Sequence, residues 1–157
     1  MMPFSPQTFV ARSPFGEMRV TVEGERIIKC IPASGEASDE PKSAEEEHTE
    51  REHLERLLSL KERLPETQVP RHDRYPELWR EIWRIPFGET VTYSELTRRL
   101  GLPATHIRAV ARAVGANDLC LLVPCHRVIS KDGSLGGYKW GTSLKAKILA
   151  YEQSLVS

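Results

Sequence analysis

The chain has 157 residues, enough for one compact domain or two small ones sharing an interface. Its 22 Lys/Arg balance 22 Asp/Glu, which by itself argues against a partner held by bulk charge. No apolar run can span a bilayer, and no signal-like segment, internal repeat or phosphate-binding glycine loop is visible, so a cytoplasmic protein without a membrane role is expected.

The first 70 residues hold 9 Lys/Arg against 14 Asp/Glu, the remainder 13 against 8, so the neutrality is a cancellation of −5 by +5. Thr8–Ala11, Met18–Val22 and Arg26–Ile31 read as short strands, turned at Pro14-Phe15-Gly16 and Glu23-Gly24-Glu25. Residues 32–49 are acidic and nearly devoid of large apolar side chains, the composition of a mobile loop. Residues 50–64 form an amphipathic helix on Leu54, Leu57, Leu58 and Leu64, its Glu and Arg side chains being a solvated face. Together these make an N-terminal α/β domain over 1–70.

The domain over 71–157 begins its recognisable pattern at Thr92-Tyr93-Ser94-Glu95, a capping box that opens a helix through Leu96 and Leu100, with Gly101 at its C-terminal cap. A second helix starts near Pro103–Thr105 and ends at Gly115, giving a helix-turn-helix. Ile107, Val110, Ala111 and Val114 form its packed face. Arg108 and Arg112 stand one turn apart among alanines, where a backbone could approach a groove and the guanidinium groups reach phosphates or bases. An ordinary solvated helix face fits the same pattern.

The apolar run Leu119–Val123 ends at Pro124, followed by Cys125-His126-Arg127. A thiol beside an imidazole and a guanidinium is a nucleophile with local means of activation, because the thiolate is the reactive form. Taken alone, the pair also fits a small buried residue closing a strand. Successive side chains of a strand point to opposite faces, so His126 can serve Cys125 only if the backbone turns or a water relays the proton. Pro124 favours a turn. A final helix over Thr142–Gln153, capped by Thr142 or Ser143, carries a stripe of Leu144 and Ile148 that Glu152 continues. A carboxylate on a packed face needs a partner, and an imidazole would be oriented by it, as in a nucleophile, base and orienter triad. A frayed helix end in water would place Glu152 equally well.

The three cysteines support no other chemistry. On an extended run Cys120 and Cys125 would lie roughly 16 Å apart, too far for a disulfide. Cys30 has no Cys or His at ligand spacing, so neither a metal nor a cofactor is expected, and a reducing compartment is.

Ile85-Pro86-Phe87-Gly88-Glu89-Thr90-Val91-Thr92-Tyr93, Arg112-Ala113-Val114-Gly115, Asn117, Pro124-Cys125-His126-Arg127-Val128 and Gly136-Gly137-Tyr138 occur in order and close on Glu152. Over about residues 76–153 the chain resembles the O6-alkylguanine-DNA alkyltransferases, also called methylated-DNA–protein-cysteine methyltransferases. The resemblance implies an α+β fold, a small N-terminal sheet and helix domain packed on a winged helix-turn-helix domain. It implies irreversible, stoichiometric transfer of an alkyl group from O6-alkylguanine in duplex DNA to Cys125 by a monomer, after base flipping. His126 would be the base through a bridging water, and Glu152 its orienter. Tyr93 would hydrogen-bond the guanine and help neutralise the leaving base, Asn117 would brace the turn before the active-site loop, and the carbonyls of Cys125 and Val128 would read the exocyclic amine. Tyr138 and Lys139 would wall the pocket. Arg108, seventeen residues before Cys125, would be the finger that fills the vacated stack, with Arg112 and Thr105 also facing DNA.

Departures from the family are local: Trp140 stands where some members have a small residue, and Pro65, Pro70, Tyr75 and Leu78-Trp79 replace the usual pattern ahead of the core. The competing readings are a non-catalytic lesion-binding protein, a winged-helix regulator and a Cys-His hydrolase. Cys125 argues against the first, the Cys125, His126 and Glu152 set against the second, and the lack of a visible oxyanion hole against the third.

Overall fold

The structure, a computed structural model, describes residues 6–24, 26–33, 52–60 and 62–156. The sequence reading divides the chain after residue 70. Contacts within the fold divide it after Leu64 and place Asp118–Leu122 with the first unit, the second unit being Pro65–Asn117 and Val123–Ser157.

The first unit is built on an antiparallel sheet in the order β1 (Gln7–Ser13), β2 (Gly16–Glu23), β3 (Arg26–Pro32). Met18, Val20 and Val22 alternate inward along β2 and pair with Pro32, Cys30 and Ile27. Ile27 and Cys30 are three residues apart, yet both are buried, because the register shifts between Thr21 and Val22 and leaves Ile28 unpaired and exposed. One extra residue on a strand restores the inward face after the slip.

Helix α1 (52–58) buries Leu54, Leu57 and Leu58 as its spacing requires. It stops earlier than the expected 64, because Leu60 takes the left-handed conformation at φ +68°, a helix-ending geometry. Leu64 is buried beyond the turn. The expected loop lies largely outside the described residues, as does Glu50. Asp118–Leu122 completes this unit: Cys30 N donates to Asp118 O at 2.7 Å and Cys120 N to Cys30 O at 2.9 Å, a parallel bridge centred on Leu119. Beyond it, residues 120–123 turn, with Leu121 at φ +71°, so the run to Val123 is not the extended segment its apolar character suggests. The 16 Å separation therefore does not apply to Cys120 and Cys125, although all three cysteines are free of disulfides.

In the second unit, α2 (Leu78–Trp83) buries Leu78, Trp79 and Ile82. A two-residue strand, β4 (Val91–Thr92), leads into α3 (Tyr93–Arg99), where Thr92 Oγ1 accepts from Glu95 N at 3.0 Å. The Glu95 carboxylate turns instead to Arg98 and Arg99. Gly101, at φ +76°, follows the end of α3 in the conformation glycine tolerates best. A 3-10 turn at Ala104–His106 then opens α4 (Ile107–Val114), which Gly115 caps. Its buried residues are Val110, Ala113 and Val114, whereas Ile107 and Ala111 are half-buried. Helix α5 (Thr142–Val156) runs past the expected Gln153. Its first backbone hydrogen bond returns from Lys145 N to Gly141 O, so Gly141, and not Thr142 or Ser143, occupies the cap position. No helix among the described residues is long and apolar enough to cross a membrane.

Candidate active site

Pro124 does end the preceding segment, and the chain then makes one 3-10 turn over Cys125–Arg127, closed by Arg127 N to Pro124 O at 2.9 Å. The turn removes the strand alternation that would have separated Cys125 from His126. It leads into β5 (Val128–Ile129), which pairs in parallel with β4, Val91 opposite Val128. This short pairing brings Tyr93, the first residue of α3, to the same wall as Cys125.

Behind the thiol lies a buried charge cluster. His126 Nε2 and Glu152 Oε2 are 2.7 Å apart, and neither side chain reaches solvent. Arg127 approaches the same carboxylate with Nε at 3.0 Å and Nη2 at 2.8 Å, gives Nη1 to Ile85 O at 2.7 Å, and lies over the Phe87 ring. Gly88 N donates to Glu152 Oε1 at 3.2 Å. Burial alone would raise the Glu152 carboxyl, but the hydrogen bonds from His126 and Arg127 win and hold it at about 2. Its contribution to stability is complete above about pH 4.3 and is lost as the pH falls towards 2. Burial lowers His126 more than Glu152 raises it, so the imidazole is neutral at pH 7. An ionised carboxylate can only accept, so Nε2 carries the ring proton and Nδ1 presents a lone pair. Nδ1 is buried without a hydrogen-bond partner among the described residues. Such an acceptor costs about 1–3 kcal/mol if left unsatisfied, which favours a hydrogen-bond donor beside it.

Cys125 opens onto a cavity of about 620 Å³. Tyr93, Ser130, Gly136 and Tyr138 line it together with Ala111, Arg112 and Gly115. Trp140 meets Tyr138 edge to face at 5.3 Å, with Lys139 Nζ over its indole. Gly136 stands at φ +72°, and a Cβ there would meet Ser130 Oγ at 2.9 Å and Tyr93 Cε2 at 3.0 Å, so a side chain would close the space. Burial and then the neighbouring Cys125 raise the Tyr93 hydroxyl, which keeps it a proton donor at neutral pH.

Residues 73–154, just over half the chain, match the family model described as 6-O-methylguanine DNA methyltransferase, DNA binding domain. The chain belongs to that family. Among relatives of this methyltransferase family, the Regulatory protein ada of Salmonella typhimurium is 49% identical over 76 residues, 48% of this chain and 21% of that protein. The methylated-DNA–protein-cysteine methyltransferase of Saccharomyces cerevisiae is 43% identical over 77 residues, 49% of this chain and 40% of that protein. The chain thus spans well under half the length of these relatives. A crystal structure of the Mycobacterium tuberculosis O6-methylguanine methyltransferase aligns over 98% of this chain and 96% of its own at TM-score 0.73 and 24% identity, a likeness of fold. The α+β architecture expected from the methyltransferase resemblance is the one observed.

The structure brings Cys125, Tyr93, Arg112, Asn117, Tyr138 and Lys139 to one cavity, with the His126 and Glu152 pair formed as the stripe on α5 suggested. Asn117 Nδ2 donates to Val123 O at 3.2 Å, tying the two ends of the 118–122 segment. Arg108 and Thr105 are exposed and lie outside the cavity lining. The Val128 side chain is buried, and its carbonyl already accepts from Lys145 Nζ at 2.7 Å.

Two residues escaped the sequence reading. Arg127, taken only as a neighbouring positive charge, clamps Glu152. Lys145 is fully buried, so the inward stripe of α5 is Lys145, Ile148 and Glu152, and the expected Leu144 is only half-buried. The three-residue step from Lys145 to Ile148 carried that signal, but a lysine is ordinarily assigned to water.

If Glu152, held to His126 at 2.7 Å, acts on the thiol through that imidazole, Glu152→Gln is expected to slow alkylation of Cys125 by iodoacetamide several-fold at pH 7. Above about pH 9, where thiolate forms unaided, it should have little effect. Rate constants from mass spectrometry at the two pH values check this, and equal slowing at both would assign Glu152 a purely structural role.

Proposed function

We propose that this protein repairs duplex DNA by direct reversal, taking the alkyl group of O6-alkylguanine onto Cys125. The observation that carries the reading is a cavity roomy enough to admit a purine, lined by a cysteine whose neighbour in the chain is a neutral, carboxylate-bound histidine with Nδ1 unpaired among the described residues. The thiol proton passes to His126 Nδ1 through a bridging water, and the resulting imidazolium is stabilised by Glu152. The thiolate attacks the alkyl carbon, a C–S bond forms as the C–O bond breaks, and the electron pair stays with the guanine, where the Tyr93 hydroxyl hydrogen-bonds to it. These changes close without a second reagent. A thioether has no easy leaving route, so each molecule reacts once.

A stacked guanine cannot present its O6 substituent in line to a thiolate in a pocket, so the nucleotide must leave the duplex, at a cost of a few kcal/mol. Helix α4 supplies the means, with small alanines along its length and Arg108 and Arg112 exposed. We assign Arg108 to the vacated stack, Arg112 and Thr105 to the DNA beside it, and groove shape in place of base sequence as what is read. Cavity and charge cluster come from one chain, which fits a monomer, and three cysteines outside any disulfide suit the reducing cytoplasm.

The test is incubation with a short duplex carrying O6-[methyl-³H]guanine. One label per protein, on the Cys125 peptide, is expected. Repeated turnover, or tight binding without transfer, would overturn the reading. Arg108→Ala is expected to slow single-turnover repair of the duplex by roughly one to a few orders of magnitude while leaving reaction with a free O6-alkylguanine base near wild type. Arg112→Ala should mainly weaken DNA binding and flatten its salt dependence. The reverse pattern would make Arg112 the finger.

A further inference from the structure

Lys145 is a charged side chain without contact to solvent, and its surroundings account for all three of its N–H donors. Nζ donates to Val128 O at 2.7 Å, to Gly137 O at 3.1 Å and to Leu135 O. Val128 belongs to the strand that follows the reactive turn, and Leu135 and Gly137 bracket Gly136, whose missing side chain keeps the cavity open. The same ammonium lies 5.8 Å from the Tyr93 ring centroid and 5.9 Å from that of Tyr138, two walls of the cavity. Without a cation at the centre, three carbonyl oxygens would converge on one point and repel one another.

We propose that Lys145 is the positioning residue of the purine pocket, its ammonium fixing the Val128 carbonyl and the 135–137 loop in the geometry that receives the base. This deepens the alkyltransferase reading and rests on it. The Val128 carbonyl has a second lone pair, so it can hold Lys145 and still accept from an exocyclic amine. The charged form is required, since a neutral amine has only two N–H donors for three acceptors. Burial lowers the Lys145 ammonium to about 8, opposed by Cys125. The titratable groups facing it are Cys125 and His126 on the reactive turn, Tyr93 on α3 and Tyr138 on the loop. Substrate positioning therefore weakens through pH 8 while thiolate formation improves.

The experiment compares two reactions of Cys125 from pH 7 to 9.5: single-turnover transfer from a saturating O6-methylguanine duplex, and alkylation by iodoacetamide, which needs the thiolate but no pocket. For the wild type, the ratio of the first rate to the second is expected to fall about tenfold between pH 7 and pH 9 as the ammonium is lost. In Lys145→Met the ratio should be lowered at least about a hundredfold at pH 7 and be flat with pH. A wild-type ratio that is constant across the range overturns the proposal, and this arm decides even if Lys145→Met does not fold. A Lys145→Met ratio equal to that of the wild type at pH 7 also overturns it. If the wild type takes no label at any pH while iodoacetamide still reacts, the alkyltransferase reading itself fails, and the positioning role with it.

Discussion

Cys125→Ser is expected to bind a lesion-bearing duplex as the wild type does and to take no label from it. The substitution exchanges sulfur for a smaller, less polarisable oxygen at a buried position lining the cavity and leaves in place the 3-10 turn and the hydrogen bonds among His126, Arg127 and Glu152, none of which uses the sulfur. A serine hydroxyl ionises far less readily than a thiol, and a neutral imidazole with a bare Nδ1 cannot make up that difference for attack on an alkyl carbon. Transfer should therefore drop to background while the dissociation constant for the duplex stays within about threefold. Gel shift and label transfer on the same preparation check both halves. Label on the serine variant would move the nucleophile elsewhere, and loss of binding would mean that the thiol supports the fold of the pocket.

The second large effect is expected at Arg127. Its guanidinium holds the Glu152 carboxylate and reaches back to Ile85 O, so Arg127→Met leaves a buried negative charge with only His126 and Gly88 N as donors. Removing one member of a buried ion pair costs about 3–5 kcal/mol. For a chain of this length that corresponds to roughly 6–20 °C in Tm. The remaining carboxylate would draw the proton of His126 more strongly, so the imidazole would become protonated nearer neutrality and lose its capacity as a base. Combining Arg127→Met with Glu152→Gln removes the stranded charge, and the double variant should be less destabilised than the two single losses added together. Additive losses in thermal unfolding would show that the pair is not coupled.

Much of this was readable from residue order. The alternation of Met18, Val20 and Val22 specified β2, and the Leu54, Leu57 and Leu58 spacing specified α1, because each pattern matches the period of one backbone geometry. The Thr92 cap and Gly101 marked the two ends of α3 for the same local reason. Glu152 could be singled out because a carboxylate broke an apolar stripe. What could not be read were consequences of long-range pairing. The turn through residues 120–123 looked extended because apolar composition does not distinguish a strand from a buried turn. The parallel contact of Val91 with Val128 joins two-residue strands that have no period to detect. Arg127 and Lys145 are hidden for a different reason: burial of a cation is improbable until its acceptors are known, and these are a carboxylate 25 residues away for Arg127 and, for Lys145, backbone carbonyls, which every sequence has and none advertises.

The bridge between Cys30 and the 118–122 segment bears on how the protein is made. The sheet is encoded within the first 32 residues, yet the two backbone hydrogen bonds of Cys30 wait for partners that are synthesised some 90 positions later. A ribosome releasing the chain from its N-terminus can let the hairpins form early, but that unit becomes complete only after α3 and α4 have also emerged. Neither unit can thus be excised by a single cut: a fragment ending at Leu64 lacks its bridge, and one beginning at Pro65 carries a five-residue loop made for a sheet it no longer has.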